Sequence, residues 1–176
     1  MSALTLIDPL LDGYHTARLR LAAPQAGDGA ALFAAIDASL AQLQRFPHSV
    51  PWAQQPQSEA ACEAWCRKVQ LVWPQGRDKL ALLWLGDEVA GCIELHARGS
   101  GRWELGFWGH SDWQGMGLVS EAADSVLGLA FGPYAAQEVF ARTDAANLPA
   151  RRVCQHLGML DDGGGDDGCL YRIRLN

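Results

Sequence analysis

The sequence is poor in several things, and each shortage narrows what the protein can be. It has no run of about eighteen consecutive apolar residues, so no membrane-spanning helix is expected. Its first residues lack the basic-then-apolar layout of a secretory signal, which predicts a soluble, cytoplasmic protein. Basic residues are outnumbered, 14 Lys and Arg against 20 Asp and Glu for a net charge of −6, and they do not cluster. That excludes a nucleic-acid surface, which needs grouped Lys and Arg on phosphates, and favours approach of cationic partners. The cysteines are five, an odd number, at Cys62, Cys66, Cys92, Cys154 and Cys169. Cys62 and Cys66 stand one helical turn apart with no matching histidine pair, so the expectation is buried free thiols and no metal site. Repeats and linkers are also missing. With 176 residues and 49% hydrophobic content, one compact domain over residues 1–176 is expected.

What is present centres on Trp103 to Ala123. A short apolar run from Glu104 to Trp108 reads as a strand, a polar turn follows, and Gln114-Gly115-Met116-Gly117 leads into an amphipathic run from Leu118 to Phe131. A helix N-terminus carries unpaired N–H groups and partial positive charge, so it holds an anion without any lysine. Glycines at 115 and 117 let the backbone approach such a ligand, although the same pair can simply reverse the chain. No Lys-Ser/Thr follows them, which excludes a Walker A loop, and the third glycine of the dinucleotide fingerprint is missing.

Around this centre the chain punctuates itself clearly. Residues 1–15 form an irregular lead-in, and Arg18 to Leu21 alternates as a half-buried strand does. Gly29 to Leu43 is alanine-rich with Leu32, Phe33, Ile36 and Leu40 at helical spacing. Pro47, Pro51 and Pro56 enforce a loop carrying Phe46, His48 and Trp52, and Ser58 is placed to cap a second helix to about Val72. Trp52 and Trp65 can line a pocket or pack as core. Lys79–Leu85 and Glu88–His96 flank Gly86-Asp87 as a hairpin, and Gly99-Ser100-Gly101 turns into the Trp103–Trp108 strand. Gly132-Pro133 stops the third helix, and Glu138 to Thr143 is a further strand. A helix then runs from about Pro149 or Ala150 to a C′ glycine at Gly158. Met159-Leu160 and Cys169–Leu175 make a terminal hairpin.

These segments together resemble the GNAT superfamily of acetyl-CoA-dependent N-acyltransferases. Gln114-Gly115-Met116-Gly117-Leu118-Val119 is similar to its pyrophosphate loop, Gln/Arg-x-x-Gly-x-Gly/Ala, and departs from it at Val119. Thr16-Ala17-Arg18-Leu19-Arg20-Leu21 resembles the T-x-R-L-x-L opening strand of the RimJ/RimL-like branch, the ribosomal-protein N-terminal acetyltransferases. Glu104-Leu105-Gly106-Phe107-Trp108 is similar to that branch's E-I-G-Y-W, and Gly117 to Ala122 to its G-Y-A-T-E-A. Asn147-Leu148-Pro149-Ala150 through Leu157-Gly158-Met159 is similar to N-x-x-S/A … L-G-F.

The resemblance implies an α/β fold whose mixed, mostly antiparallel sheet of six or seven strands is split at its centre and flanked by about four helices. It implies acetyl-CoA as co-substrate. Backbone groups of Phe107, Trp108 and Gly109 would meet pantetheine, and Gln114, Gly115, Met116, Gly117, Leu118, Val119 and Ser120 the diphosphate. Asn147 and Arg152 would meet the rest of the arm, although Arg151 and Arg152 read equally as solvated charges. Acyl transfer to an amine needs a neutral nucleophile and a protonated leaving thiol. Glu104 is the first candidate base, pointing either into the gap or to the other face of the pleat. Glu94, His96 and His110 stand in reserve. The tyrosine acid of many such enzymes falls at Cys154, and a serine known in the branch falls at Ala150, so neither acid is present. A non-catalytic acyl-CoA-binding protein is therefore the competing reading.

The acceptor is expected to be a primary amine, on a protein N-terminus or a small molecule. An α-amine of pKa about 8 is neutral far more often at pH 7 than a lysine of about 10.4. Asp161, Asp162, Asp166 and Asp167 on a glycine-rich tip either attract a cationic acceptor or are merely solvated. A homodimer is possible through an exposed strand edge.

Overall fold

The computed structural model describes residues 8–11, 13–74, 76–165 and 168–175. Two short strands, Tyr14–His15 (β1) and Arg20–Ala22 (β2), precede helices Gly29–Leu43 (α1) and Glu59–Val72 (α2). The hairpin Lys79–Leu85 (β3) and Glu88–Ala97 (β4) follows, then Arg102–Gly109 (β5) and Leu118–Phe131 (α3). Glu138–Asp144 (β6), Leu148–His156 (α4), Leu160–Asp161 (β7) and Gly168–Arg174 (β8) complete the chain. The capping chemistry follows the residues: Ser58 accepts from the Ala61 N–H, and Asn147 accepts from the Ala150 N–H.

The strands join in the order β1-β2-β3-β4-β5-β6-β8-β7. This is the expected α/β class, with eight strands where six or seven were expected. The additional one is β1, two residues after a left-handed Gly13, too short to show a period in the sequence. Every described pairing is antiparallel except β5 with β6.

Period-two alternation divides the apolar side chains between two cores. Leu83, Ile93, Leu95, Leu105 and Val139 face α3 and α4, together with Val126 and Cys154. Leu82, Trp84, Cys92 and Trp108 face the other way, toward Leu32 and Ile36 of α1 and Cys62 and Cys66 of α2. Four cysteines are buried and Cys169 is half-buried, all free, so burial and not bridging explains them. No helix among the described residues is long and apolar enough to cross a membrane.

Candidate active site

The sheet opens between β5 and β6. They pair only over Arg102–Glu104 against Glu138–Phe140, so residues 105–109 of β5 have no neighbour on that side. A cavity of about 480 Å³ occupies the gap. Its walls include Phe107, Trp108 and Gly109 at the free end of β5, and Gln114, Gly115, Gly117, Leu118, Val119 and Ser120 at the start of α3. Asn147 and Arg152 come from the start of α4. Of the cofactor residues expected from the sequence, Met116 alone does not line this cavity; its side chain is exposed.

The glycine loop has the geometry an anion site needs. Gly115 and Gly117 take φ of +77° and +75°, where an L side chain is strained. The helix-opening bond runs from the Glu121 N–H to the Gly117 carbonyl, which leaves the amides of Leu118, Val119 and Ser120 without an intrahelical acceptor. A Cβ on Gly109 would lie 2.7 Å from Val119 Cγ2, so one valine methyl occupies room left by a glycine on the neighbouring strand.

Two attachments hold this loop and the cleft. Glu121 accepts from Thr16 Oγ1, from the Arg18 N–H and from Arg18 Nε at 2.6 Å, while Arg18 donates through a second nitrogen to the Met116 carbonyl at 2.8 Å. Burial pushes the Glu121 carboxyl up, but the bonds from Thr16 and Arg18 outweigh it and leave it lowered. The T-x-R and S-E segments of the sequence are thus two halves of one clamp. On the opposite side, the loop after α1 crosses to β6: Asp144 accepts from the backbone N–H groups of His48 and Ser49 and from Ser49 Oγ at 2.7 Å. His48 Nδ1 lies 2.8 Å from the same carboxylate, and Asn147 Nδ2 donates to Ser49 Oγ at 3.2 Å. Burial raises the Asp144 pKa, and the bonds from Ser49 and His48 more than reverse that, so it stays below the usual range.

Glu104 lies elsewhere. It shares the α1/α2 face with Gly106 and Trp108, yet it lines neither this cavity nor the one described next. Arg98 Nε at 2.7 Å and an Arg142 nitrogen at 3.2 Å occupy its two oxygens. The sequence hides this, because Arg142 is 38 residues away along the chain. Cys154 sits buried in the core, its thiol pushed up to about 12 by burial, and Ala150 lines the cleft with no proton to give.

A second cavity of about 350 Å³ shares Trp108 with the first. Its floor is the sheet, Leu80, Cys92, Glu94 and His96, and α1 and α2 cover it with Leu32, Ile36, Ala61, Cys62 and Trp65. Trp52 meets Trp108 edge-on, with ring centroids 5.8 Å apart. Trp52 and Trp65 therefore both line a pocket and pack against the core. Glu94 Oε2 lies 2.8 Å from His96 Nε2, and Asp78 lies 3.0 Å from His96 Nδ1. Held between two carboxylates, Glu94 first, the imidazole is pushed up to about 9 despite its burial. Among the described residues, Glu94 Oε1 has only the Cys92 thiol, at 3.9 Å. His110, the remaining reserve, lines the cofactor-sized cavity and accepts the Asp112 N–H.

The acidic tip is partly committed. Asp161 lies 3.7 Å from Arg151, and Asp162 pairs with Arg172. Asp166 and Asp167 lie outside the described residues. No group of three potential ligands that could hold a metal ion occurs among the described residues.

Comparison with known proteins shows the family and the fold. Residues 18–160 match the acetyltransferase (GNAT) domain, and the chain belongs to that family. No curated protein sequence matches it. Among solved structures, RimL, a ribosomal L7/L12 alpha-N-protein acetyltransferase in complex with coenzyme A, superposes with a TM-score of 0.80 at 19% identity, covering 91% of this chain and 96% of its own. The Salmonella typhimurium acetyltransferase that modifies the N-terminal serine of L7/L12 gives 0.77 at 18% identity, with 92% and 97% covered. The microcin C7 self-immunity acetyltransferase MccE, in complex with acetyl-CoA and AMP, gives 0.79 at 11% identity, with 90% and 93% covered. At these identities the likeness is one of fold.

Proposed function

We propose that the protein transfers the acetyl group of acetyl-CoA to a primary amine by direct attack in a ternary complex. The observation that carries this reading is the coincidence, in one 480 Å³ cavity, of a strand end unpaired over residues 105–109 and a helix start with open amides. The first suits the amides of a pantetheine arm, and the second a diphosphate. The coenzyme A and acetyl-CoA complexes of the RimL and MccE structures support the same assignment. Phe107, Trp108 and Gly109 would hold the arm, residues 114–120 the diphosphate, and Asn147 and Arg152 the remainder.

The base role passes from Glu104 to Glu94. Both oxygens of Glu104 are held by arginines, whereas Glu94 keeps one oxygen free of any charged partner beside the shared Trp108 wall. The ammonium gives one proton to Glu94 and the neutral amine attacks; the C–N bond forms, the C–S bond breaks, and the second N–H proton passes through water to the thiolate sulfur. A thiol of ordinary pKa about 8.5 leaves readily enough for water in the open cleft to protonate it, so neither a tyrosine nor a serine acid is required.

Calorimetric titration with acetyl-CoA, with ATP and NAD as controls, tests the cofactor assignment. Selective binding of acetyl-CoA is expected, and its absence ends the reading. In Glu94→Gln, kcat should fall by roughly a hundredfold, the scale of a lost general base, with acetyl-CoA affinity retained. A parent protein that binds acetyl-CoA but transfers to no amine would instead favour the non-catalytic reading.

A further inference from the structure

The second cavity narrows the acceptor, on the reading that the first holds acetyl-CoA. Three tryptophans, Trp52, Trp65 and Trp108, form much of its wall, and six of the nine remaining lining residues are aliphatic or cysteine. Its volume of about 350 Å³ lies at the small end of small-molecule sites. Beyond the three indole N–H donors, the polar side chains of the lining are Glu94, His96 and Gln57, and the Gln57 amide nitrogen already donates to the carbonyls of Trp52 and Gln55. The lining is therefore short of acceptors, and the hydroxyl donors of a sugar or the successive N–H groups of a peptide would outnumber them, at a cost in unpaired polar groups. A flat apolar body meets no such penalty, and aromatic faces attract a cation as well.

The charge in the pocket has one sign left over. Asp78 and Glu94 flank a protonated His96, so the trio carries a net negative charge, and the uncommitted oxygen belongs to Glu94. Gly106, opposite Glu94 in the strand register, puts no side chain beside that carboxylate; a Cβ at 106 would stand 3.9 Å from Glu94 Cβ and Oε2. We infer that this cavity seats a compact arylalkylamine, its ring among the three tryptophans and its ammonium on Glu94, beside the Trp108 wall shared with the cofactor cavity.

The test uses the full chain without acetyl-CoA and reads quenching of tryptophan fluorescence. The probes are 2-phenylethylamine, its uncharged counterpart 2-phenylethanol, an aminoglycoside and a hexapeptide with a free N-terminal serine. The amine should bind at least about tenfold more tightly than the alcohol, the scale of one charge-assisted contact, and more tightly than the other two. Glu94→Gln should abolish the preference for amine over alcohol while leaving the alcohol's affinity in place. Gly106→Val, which sets a branched side chain beginning 3.9 Å from Glu94 Cβ and Oε2, should weaken the amine by a similar factor, with an unchanged far-UV circular dichroism spectrum showing that the fold is kept. Equal binding of amine and alcohol in the parent protein, or tighter binding of the aminoglycoside or peptide, would overturn the proposal. A separate assay of thiol release from acetyl-CoA distinguishes the two readings. Amine binding without any acetyl-CoA binding sinks the cofactor assignment alone, while turnover confined to peptides or aminoglycosides sinks this one alone.

Discussion

Val119 shows how far a residue is legible by itself. Against the family's loop pattern it is a departure, a branched side chain where glycine or alanine is usual, and nothing nearby in the sequence accounts for it. The account lies at Gly109, ten positions earlier on β5, whose missing side chain makes room for a valine methyl. Gly109→Ala would place a Cβ 2.7 Å from Val119 Cγ2 and force the loop outward. Acetyl-CoA affinity should fall by about tenfold in that variant and recover in Gly109→Ala/Val119→Ala, a coupling that a double-mutant cycle by calorimetry measures. Additive effects of the two substitutions would refute the pairing. Glu104 and Glu94 teach the same lesson with charge. Both are carboxylates in apolar strands, and only the positions of Arg98, Arg142 and His96 in space decide which has an oxygen to spare.

At the scale of elements, the clamp between the β1–β2 turn and the start of α3 explains why two separated sequence segments belong together. Thr16 and Arg18 bind Glu121, and Arg18 also bonds the carbonyl of Met116 inside the glycine loop. The Arg18 side chain is 43% exposed, so its ion pair adds little to global stability. Its contribution is to the order of the loop. Arg18→Ala should therefore leave the melting temperature almost unchanged while raising the acetyl-CoA Kd by about fivefold, roughly 1 kcal/mol. A large loss of stability with unchanged affinity would show the clamp to be structural only. Helix boundaries and the hairpin were legible because glycine, proline and the capping Ser58 act locally, whereas the cap at Asn147 emerged only in the structure. The clamp was legible only as a motif, since 103 residues separate Arg18 from Glu121.

For the whole molecule, the question is what keeps a split sheet together. Below the short β5–β6 pairing, the His48–Ser49 segment spans from the α1 side to Asp144 at the end of β6. The Asp144 pKa is depressed in the folded protein, so this attachment contributes stability above the unfolded value of about 3.9 and loses it as pH falls through the lower folded value. The stability difference between the parent and Asp144→Asn, from urea unfolding, should be constant near neutrality and shrink toward zero in that acid range. A difference independent of pH would mean that the carboxylate's charge is not what holds the strap.

The sequence by itself determined the order and type of the elements other than the two-residue β1, the glycine loop and the family, because periodicity, capping and turn chemistry are set by residues a few positions apart. Tertiary structure decided which carboxylate has a free oxygen, and that three tryptophans from a 3-10 turn, a helix and a strand share one cavity. Those outcomes depend on distances between residues far apart along the chain, and only packing brings such residues into contact.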